Sequence, residues 1–251
     1  MQLTEEQGFK YYQSGQGPVI ILLHGLFGAL SNFYEFIKYF ESKYTVCLPV
    51  LPLYSLPTND TSIQGMVDYV SDFIDFKGFK DFSLLGNSLG GHIALLYSLK
   101  NQEKVKSLIL TGSSGLFENA LGDTYPRKSD YEYVKQKTAY TFYNPDVATD
   151  ELVDEVFDIV NDKEKALRIL YLAKSALRHN LRDELFVLNK PVFLIWGKDD
   201  RITPPKAGEE FHKLLPQSEL HYLEECGHAP MMEKPEEFNR ATESFLKRIY
   251  S

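Results

Sequence analysis

Short, continuous apolar runs alternate along the chain with longer stretches whose apolar residues recur every three or four positions. Val19–Leu23, Tyr44–Leu48, Phe82–Leu85, Val105–Thr111 and Pro191–Trp196 are such runs, dominated by leucine and β-branched residues. That is the composition of strands covered on both faces. Phe9–Gln13 and Glu219–Leu223 read as further strands, and Gly15-Gln16-Gly17-Pro18 as a turn. Between these runs, Ser31–Ser42 has apolar residues at 33, 36, 37 and 40, which predicts an amphipathic helix opened by a Ser/Asn cap. Ser62–Phe76 carries a helical stripe through Ile63, Met66, Val67, Val70, Phe73 and Ile74. Ile93–Leu99 suits a largely buried helix, and further helices follow Pro204-Pro205 and run from Pro235 to Tyr250. Strand and helix in regular alternation imply a parallel sheet with right-handed crossovers. Pro49–Pro57, PVLPLYSLP, interrupts the alternation as an irregular connection.

The alternation stops near Leu116. From there to about Leu188 only helical patterns occur: an aromatic-rich stretch over Lys128–Tyr140, an acidic one over Asp150–Val160, and a long one over Lys163–His179. A helical block between two strands reads as an inserted cap. This divides the chain into a core of residues 1–115 and 189–251 and a helical cap of residues 116–188.

The chemistry concentrates at one strand–turn–helix corner, Gly86-Asn87-Ser88-Leu89-Gly90-Gly91. A serine flanked by glycines two residues to either side is the pattern of a nucleophile elbow, G-x-S-x-G. The tight turn strains the serine backbone, and side chains at 86 and 90 would collide where strand and helix approach. The hydroxyl then stands clear of the backbone, and the following helix offers its N-terminal amides to an anion. Serine is a poor nucleophile at neutral pH and needs a base that is itself oriented by an acid. In this architecture both partners belong after later strands, in the order acid, then histidine. Pro191–Trp196 is followed by Gly197-Lys198-Asp199-Asp200, and Glu219–Leu223 by a loop ending in Gly227-His228.

Four segments, LLHGLFG at 22–28, GNSLGG at 86–91, WGKDDRITP at 196–204 and GHAPMMEKPEEF at 227–238, make essentially the whole chain resemble the α/β-hydrolase superfamily. The resemblance implies an α/β-hydrolase fold, a mostly parallel sheet flanked by helices with a helical cap inserted after the sixth strand. It implies Ser88 as nucleophile, His228 as base and Asp200, rather than Asp199, as the acid. It further implies an oxyanion hole made by the backbone N–H groups of Leu26 and Leu89. His24 is expected to buttress the Leu26 loop. The elbow serine argues against haloalkane dehalogenases and epoxide hydrolases, which carry aspartate there. The HGLFG loop is similar to that of small carboxylesterases. The elbow and cap also resemble C–C bond hydrolases of 2-hydroxy-6-oxo-dienoates, which usually have tryptophan after the histidine where this chain has Ala229. The expected activity is a serine esterase acting on a small or medium apolar ester. C–C bond cleavage and a non-catalytic ligand-binding role are the alternatives. No cofactor and no metal is required.

The net charge of −8, with no basic cluster, argues against nucleic acid as a partner. No run is long enough to span a bilayer, the first residues have no signal-like layout, and two cysteines make no disulfide scaffold. A cytoplasmic monomer or homodimer acting on a small-molecule ester or related acyl substrate is the resulting expectation.

Several residues invite further roles. His92 is expected to pack beneath the site, His212 and His221 to be solvated or satisfied, and Cys226 to be no nucleophile. Arg178 and Arg182 suit either a substrate carboxylate or structural ion pairs. The cap aromatics Phe117, Tyr125, Tyr131, Tyr133, Tyr140, Phe142 and Tyr143 could line a pocket or form the cap's own core. The apolar Pro49–Pro57 loop hints at a hydrophobic entrance.

Overall fold

The apolar runs pair into a single sheet in the computed structural model, which describes residues 2–28, 30–117 and 129–251. In chain order the elements are β1 (Thr4–Glu6), β2 (Phe9–Ser14), β3 (Val19–Leu23), α1 (Tyr34–Phe40), β4 (Thr45–Pro49), α2 (Ile63–Lys77), β5 (Phe82–Asn87), α3 (Leu89–Lys100) and β6 (Val105–Thr111). After them come α4 (Tyr131–Tyr140), α5 (Asp150–Asn161), α6 (Lys163–Arg178), β7 (Val192–Gly197), α7 (Pro205–Leu214), β8 (Ser218–Leu223), α8 (Pro230–Glu233) and α9 (Pro235–Ile249). The strand order is β1-β2-β4-β3-β5-β6-β7-β8. The β1–β2 and β2–β4 pairings are antiparallel, and every other pairing is parallel.

Alternation along each buried strand splits the core into two layers. Ile21, Leu23, Leu84, Leu108, Leu110 and Trp196 face the cluster that includes α2, α3 and α7. Ile20, Leu22, Leu85, Ile109 and Ile195 face the one that includes α1 and α9. α3 has no polar face, since every residue from Leu89 to Ser98 is buried, as its uniformly apolar sequence requires. α2 is amphipathic, and Ser62 caps it by accepting the Gly65 N–H at 3.1 Å.

Two local expectations fail. α1 begins after a 3₁₀ turn over Leu30–Phe33 and has no side-chain cap, because the residue at the cap position is Phe33. β1 was not anticipated; Thr4–Glu6 is polar and exposed and is a strand only through its pairing with β2. Gly15–Pro18 connects β2 to β3 as a turn, as expected, whereas the irregular connection expected over Pro49–Pro57 starts one residue later, because Pro49 closes β4.

Between β6 and β7 the described residues contain helices and no strand. These helices are bonded to the sheet's flanking elements. Ser175 on α6 accepts the Ile63 N–H at 3.0 Å, and Arg168 Nε donates to the Leu56 carbonyl at 3.2 Å. No helix among the described residues is long and apolar enough to cross a membrane.

The sheet's topology places the site. From β3 the chain moves outward to β4, then returns to the other side of β3 to form β5. The C-terminal ends of β3 and β5 therefore flank the crevice where ligands enter open α/β sheets. Close packing at this point leaves no room for side chains. A Cβ on Gly90 would stand 2.0 Å from the Leu23 carbonyl oxygen, and one on Gly86 would stand 2.5 Å from the Gly90 carbonyl. Gly90→Ala is expected to cost on the order of 3 kcal/mol or more, because the obstruction is backbone and cannot rotate away. Thermal denaturation checks this; a variant melting within about 2 °C of wild type would show that the contact does not fix the corner.

Candidate active site

Ser88 occupies the corner between β5 and α3 with φ 56° and ψ −122°, a conformation that costs a non-glycine residue roughly 1–3 kcal/mol. Its surroundings hold it there. The Ser88 N–H donates to the Thr111 carbonyl at 3.1 Å. The Ser88 carbonyl accepts from the amides of Gly91, His92 and Ser114 at 3.0, 3.3 and 3.1 Å. Gly25 lies directly against the serine, with an ideal Cβ only 3.1 Å from the Ser88 Cβ.

Asp200 follows β7, and its side chain is completely buried. Oδ1 accepts the amides of Ile202 and Thr203, both at 2.9 Å. Oδ2 accepts the Thr203 hydroxyl at 2.8 Å and faces His228 Nδ1 at 2.9 Å. A carboxylate oxygen accepts, so this contact puts the proton on Nδ1 and leaves Nε2 as the ring's basic nitrogen. Asp199, the other carboxylate considered, is instead engaged through its backbone, which donates to the Cys226 carbonyl at 2.9 Å.

His228 is held from every side. Its N–H donates to the Thr141 carbonyl at 2.9 Å. Its carbonyl accepts Asn87 Nδ2 at 3.0 Å, and that same amide group donates to the Thr111 carbonyl at 3.1 Å. Its ring lies on Gly112, where a Cβ would stand 2.8 Å from Nδ1. Ser88 and His228 thus converge on one stretch of backbone, Thr111-Gly112. Among the described residues, the Leu26 and Leu89 amides donate to no other protein group, while Tyr54 donates to the Leu26 carbonyl at 3.2 Å and steadies that loop.

Sequence reasoning missed three residues that organise the site. Asn87 links nucleophile strand to histidine loop. Thr203 fixes the acid. Glu233, on α8, accepts the Gly227 N–H at 2.8 Å and the Tyr143 N–H at 2.7 Å, joining the histidine loop to the segment after α4. Burial pushes the Glu233 carboxyl up, and these amide bonds pull against that shift. Each carries only the weak signal of one polar residue inside a motif segment.

His24 is structural in its contacts. Nδ1 donates to the Gly25 carbonyl at 2.9 Å, and Nε2 accepts the Leu51 N–H at 3.1 Å. Desolvation lowers its pKa, with the Gly25 bond opposing. The bond to Leu51 ties the Pro49–Pro57 segment to the loop after β3, and Leu51 and Leu53, 3% and 1% exposed, pack in the core. Arg182 pairs with Glu210 at 3.4 Å. His212 Nδ1 meets Ser218 Oγ at 2.9 Å, and His221 is exposed on β8. Cys226 is buried, which pushes its thiol up and away from nucleophilic use. Of the aromatics between β6 and β7, Phe142 is buried in the core, Phe117, Tyr140 and Tyr143 are exposed, and Tyr125 lies outside the described residues. Among the described residues, no three His, Cys, Asp or Glu side chains are grouped so as to hold a metal ion.

A family model described as "Alpha/beta hydrolase family" matches residues 20–241. The chain is 28% identical to a 2-hydroxy-6-oxononadienedioate/2-hydroxy-6-oxononatrienedioate hydrolase of Comamonas testosteroni, over 93% of this chain and 89% of that one. It is 26% identical to a pimeloyl-[acyl-carrier protein] methyl ester esterase of Nitrosomonas europaea, over 90% and 94% of the two chains. Among solved structures it is similar to MGS-MChE2, an alpha/beta hydrolase enzyme from the metagenome of sediments of the Mar Chica lagoon, Morocco. The TM-score is 0.81, with 41% identity over 99% of each chain.

Two buried neutral histidines make stability depend on acid. Desolvation, with a smaller contribution from His179, lowers the His92 pKa to about 3, and burial lowers that of His24. A depressed histidine pKa contributes stability that is present above the unfolded value of about 6.5 and is lost as pH falls. From pH 7 to pH 5, His92 alone is expected to remove about 2 kcal/mol. Urea unfolding of wild type and His92→Leu at both pH values checks this, and the variant should show the smaller loss.

Proposed function

The chain belongs to the alpha/beta hydrolase family, and from that premise we propose that it is a serine hydrolase cleaving an ester of a small or medium apolar acid. The observation that carries this reading is the 2.9 Å contact between buried Asp200 and His228, made beside a serine in a strained elbow conformation. Ser88 Oγ attacks the acyl carbonyl while His228 Nε2 takes its proton. Asp200 holds the ring and offsets the charge of the imidazolium. The Leu26 and Leu89 amides stabilise the oxyanion. The C–O bond to the alcohol breaks, and the leaving alkoxide takes the proton from His228. Water, deprotonated by the same histidine, then attacks the acyl-enzyme, and the returning proton restores Ser88 as the acid departs.

In this reading the helices of residues 116–188 are a cap on a core of residues 1–115 and 189–251. The bonds from α6 to α2 and from Thr141 to His228 support such an arrangement. Cleavage of a C–C bond in a vinylogous diketone is the second reading, favoured by the Comamonas testosteroni relative's activity. Ala229 after the histidine weighs against it. An intact Ser88, Asp200 and His228 set argues against a purely ligand-binding role.

Initial rates on p-nitrophenyl esters from acetate to decanoate should peak at one acyl length. Ser88→Ala should lower turnover by on the order of a million-fold, and Asp200→Asn by about ten-thousand-fold. Activity that survives in Ser88→Ala would remove Ser88 as the nucleophile. Wild type inert on every ester but active on a 2-hydroxy-6-oxo-dienoate would favour C–C cleavage.

A further inference from the structure

His228 sits in a loop that closes on itself. Glu233, at the end of α8, accepts the Gly227 N–H on Oε1 at 2.8 Å, six residues back along the chain. The Glu233 N–H donates to the Ala229 carbonyl at 3.1 Å. The residues on either side of His228 are therefore both bonded to Glu233. The second carboxylate oxygen, Oε2, accepts the Tyr143 N–H at 2.7 Å and faces the Asn144 N–H at 3.4 Å.

The two segments that Glu233 joins are pressed together. A Cβ on Gly227 would stand 2.6 Å from the Thr141 carbonyl oxygen and 2.8 Å from the Tyr143 nitrogen. The same Thr141 carbonyl accepts the His228 N–H at 2.9 Å. One residue earlier, the Cys226 carbonyl accepts the Asp199 N–H at 2.9 Å, which ties the start of the histidine loop to the acid loop. The backbone that carries His228 is thus set by a few bonds at Cys226, Gly227 and His228, and only the one at Gly227 is made by a side chain.

The arrangement calls for an ionised side chain. An N–H points at each carboxylate oxygen, so both oxygens have to accept. A protonated carboxyl or a glutamine amide offers one acceptor and one donor, and its donor would meet an N–H head-on. Hydrogen bonds to an ionised acceptor are also about twice as strong as neutral ones. Among the described residues no lysine or arginine pairs with Glu233; the adjacent Lys234 lies 3.9 Å from Glu225 instead. Backbone amides alone answer this half-buried charge. We propose that Glu233 is the positioning residue of the base: through both carboxylate oxygens it fixes the backbone that carries His228, so that Nδ1 meets Asp200. Its effect on turnover rests on the reading of His228 as the base of a serine hydrolase; its effect on the Asp200–His228 contact does not.

The test compares the full-length wild type with Glu233→Gln, Glu233→Asp and, as a control that removes a charge from the same loop, Glu225→Gln. The His228 Nδ1–H resonance of ¹⁵N-histidine protein, assigned by its absence from His228→Gln, reads the contact with Asp200. Hydrolysis of p-nitrophenyl butyrate reads turnover. Glu233→Gln has the same size but one acceptor, and should broaden or lose the resonance and lower kcat about a hundredfold with KM within about threefold. Glu233→Asp keeps both acceptors on a side chain one methylene short, so the resonance should shift and kcat fall about three- to tenfold at unchanged KM. Glu225→Gln should match wild type in both. A Glu233→Gln protein that keeps resonance and kcat would overturn the proposal. If that variant does not fold, Glu233→Asp decides alone, and wild-type behaviour in both readouts overturns it. A perturbed resonance in Glu233→Gln, when wild type cleaves no ester, would keep Glu233 as the positioning residue and remove the esterase reading. Ester cleavage by wild type and Glu233→Gln alike would do the reverse.

Discussion

Two donors meet at the carbonyl of Thr111, and much of the site depends on that meeting. One is the Ser88 N–H, which anchors the serine in its positive-φ conformation; the other is Asn87 Nδ2, which also reaches the His228 carbonyl. Both exist because β5 and β6 pair in parallel register up to Asn87 and Thr111. Parallel strands end their ladders with unused carbonyls and amides at the C-terminal edge, and here those groups are spent on side-by-side positioning of serine and histidine. The strain at Ser88 persists because every backbone polar group of that residue is bonded.

The fold was largely legible in the sequence because buried parallel strands announce themselves as continuous apolar runs. Val105–Thr111 and Val19–Leu23 match the observed strands residue for residue. Thr4–Glu6 was not legible: its residues are exposed, and its strand character comes from a neighbour rather than from its own composition. The start of α1 was misread because Ser31 and Asn32, good capping residues, fall within a 3₁₀ turn. The burial of Leu51 and Leu53 was not legible, because it depends on His24 drawing an irregular loop inward through the Leu51 amide.

The candidate site shows the same division. Ser88, Asp200 and His228 are marked by spacing and by their positions after strands, and the structure brings Asp200 and His228 into contact. Asn87, Thr203 and Glu233 act through backbone groups or through other side chains. Thr203 bonds Asp200 only three residues away, but Asn87 and Glu233 reach partners 141 and 90 residues away, His228 and Tyr143. No local pattern encodes the two long-range pairings, which arise only once the chain has folded. His92 is the converse case: its helical position suggested packing, and the structure shows packing without satisfaction.

The helices between β6 and β7 are stitched to the rest of the molecule at separate places. Ile63 donates to Ser175, Arg168 to Leu56, and the His228 amide to Thr141. A rigid swing of that whole block would leave Ile63, Leu56 and His228 with stranded backbone groups together, at about 1 kcal/mol or more for each bond. It would also release the general-base candidate from one of its tethers. Displacing that block is therefore coupled to a looser histidine loop, because the Thr141 carbonyl that holds the His228 amide moves with it.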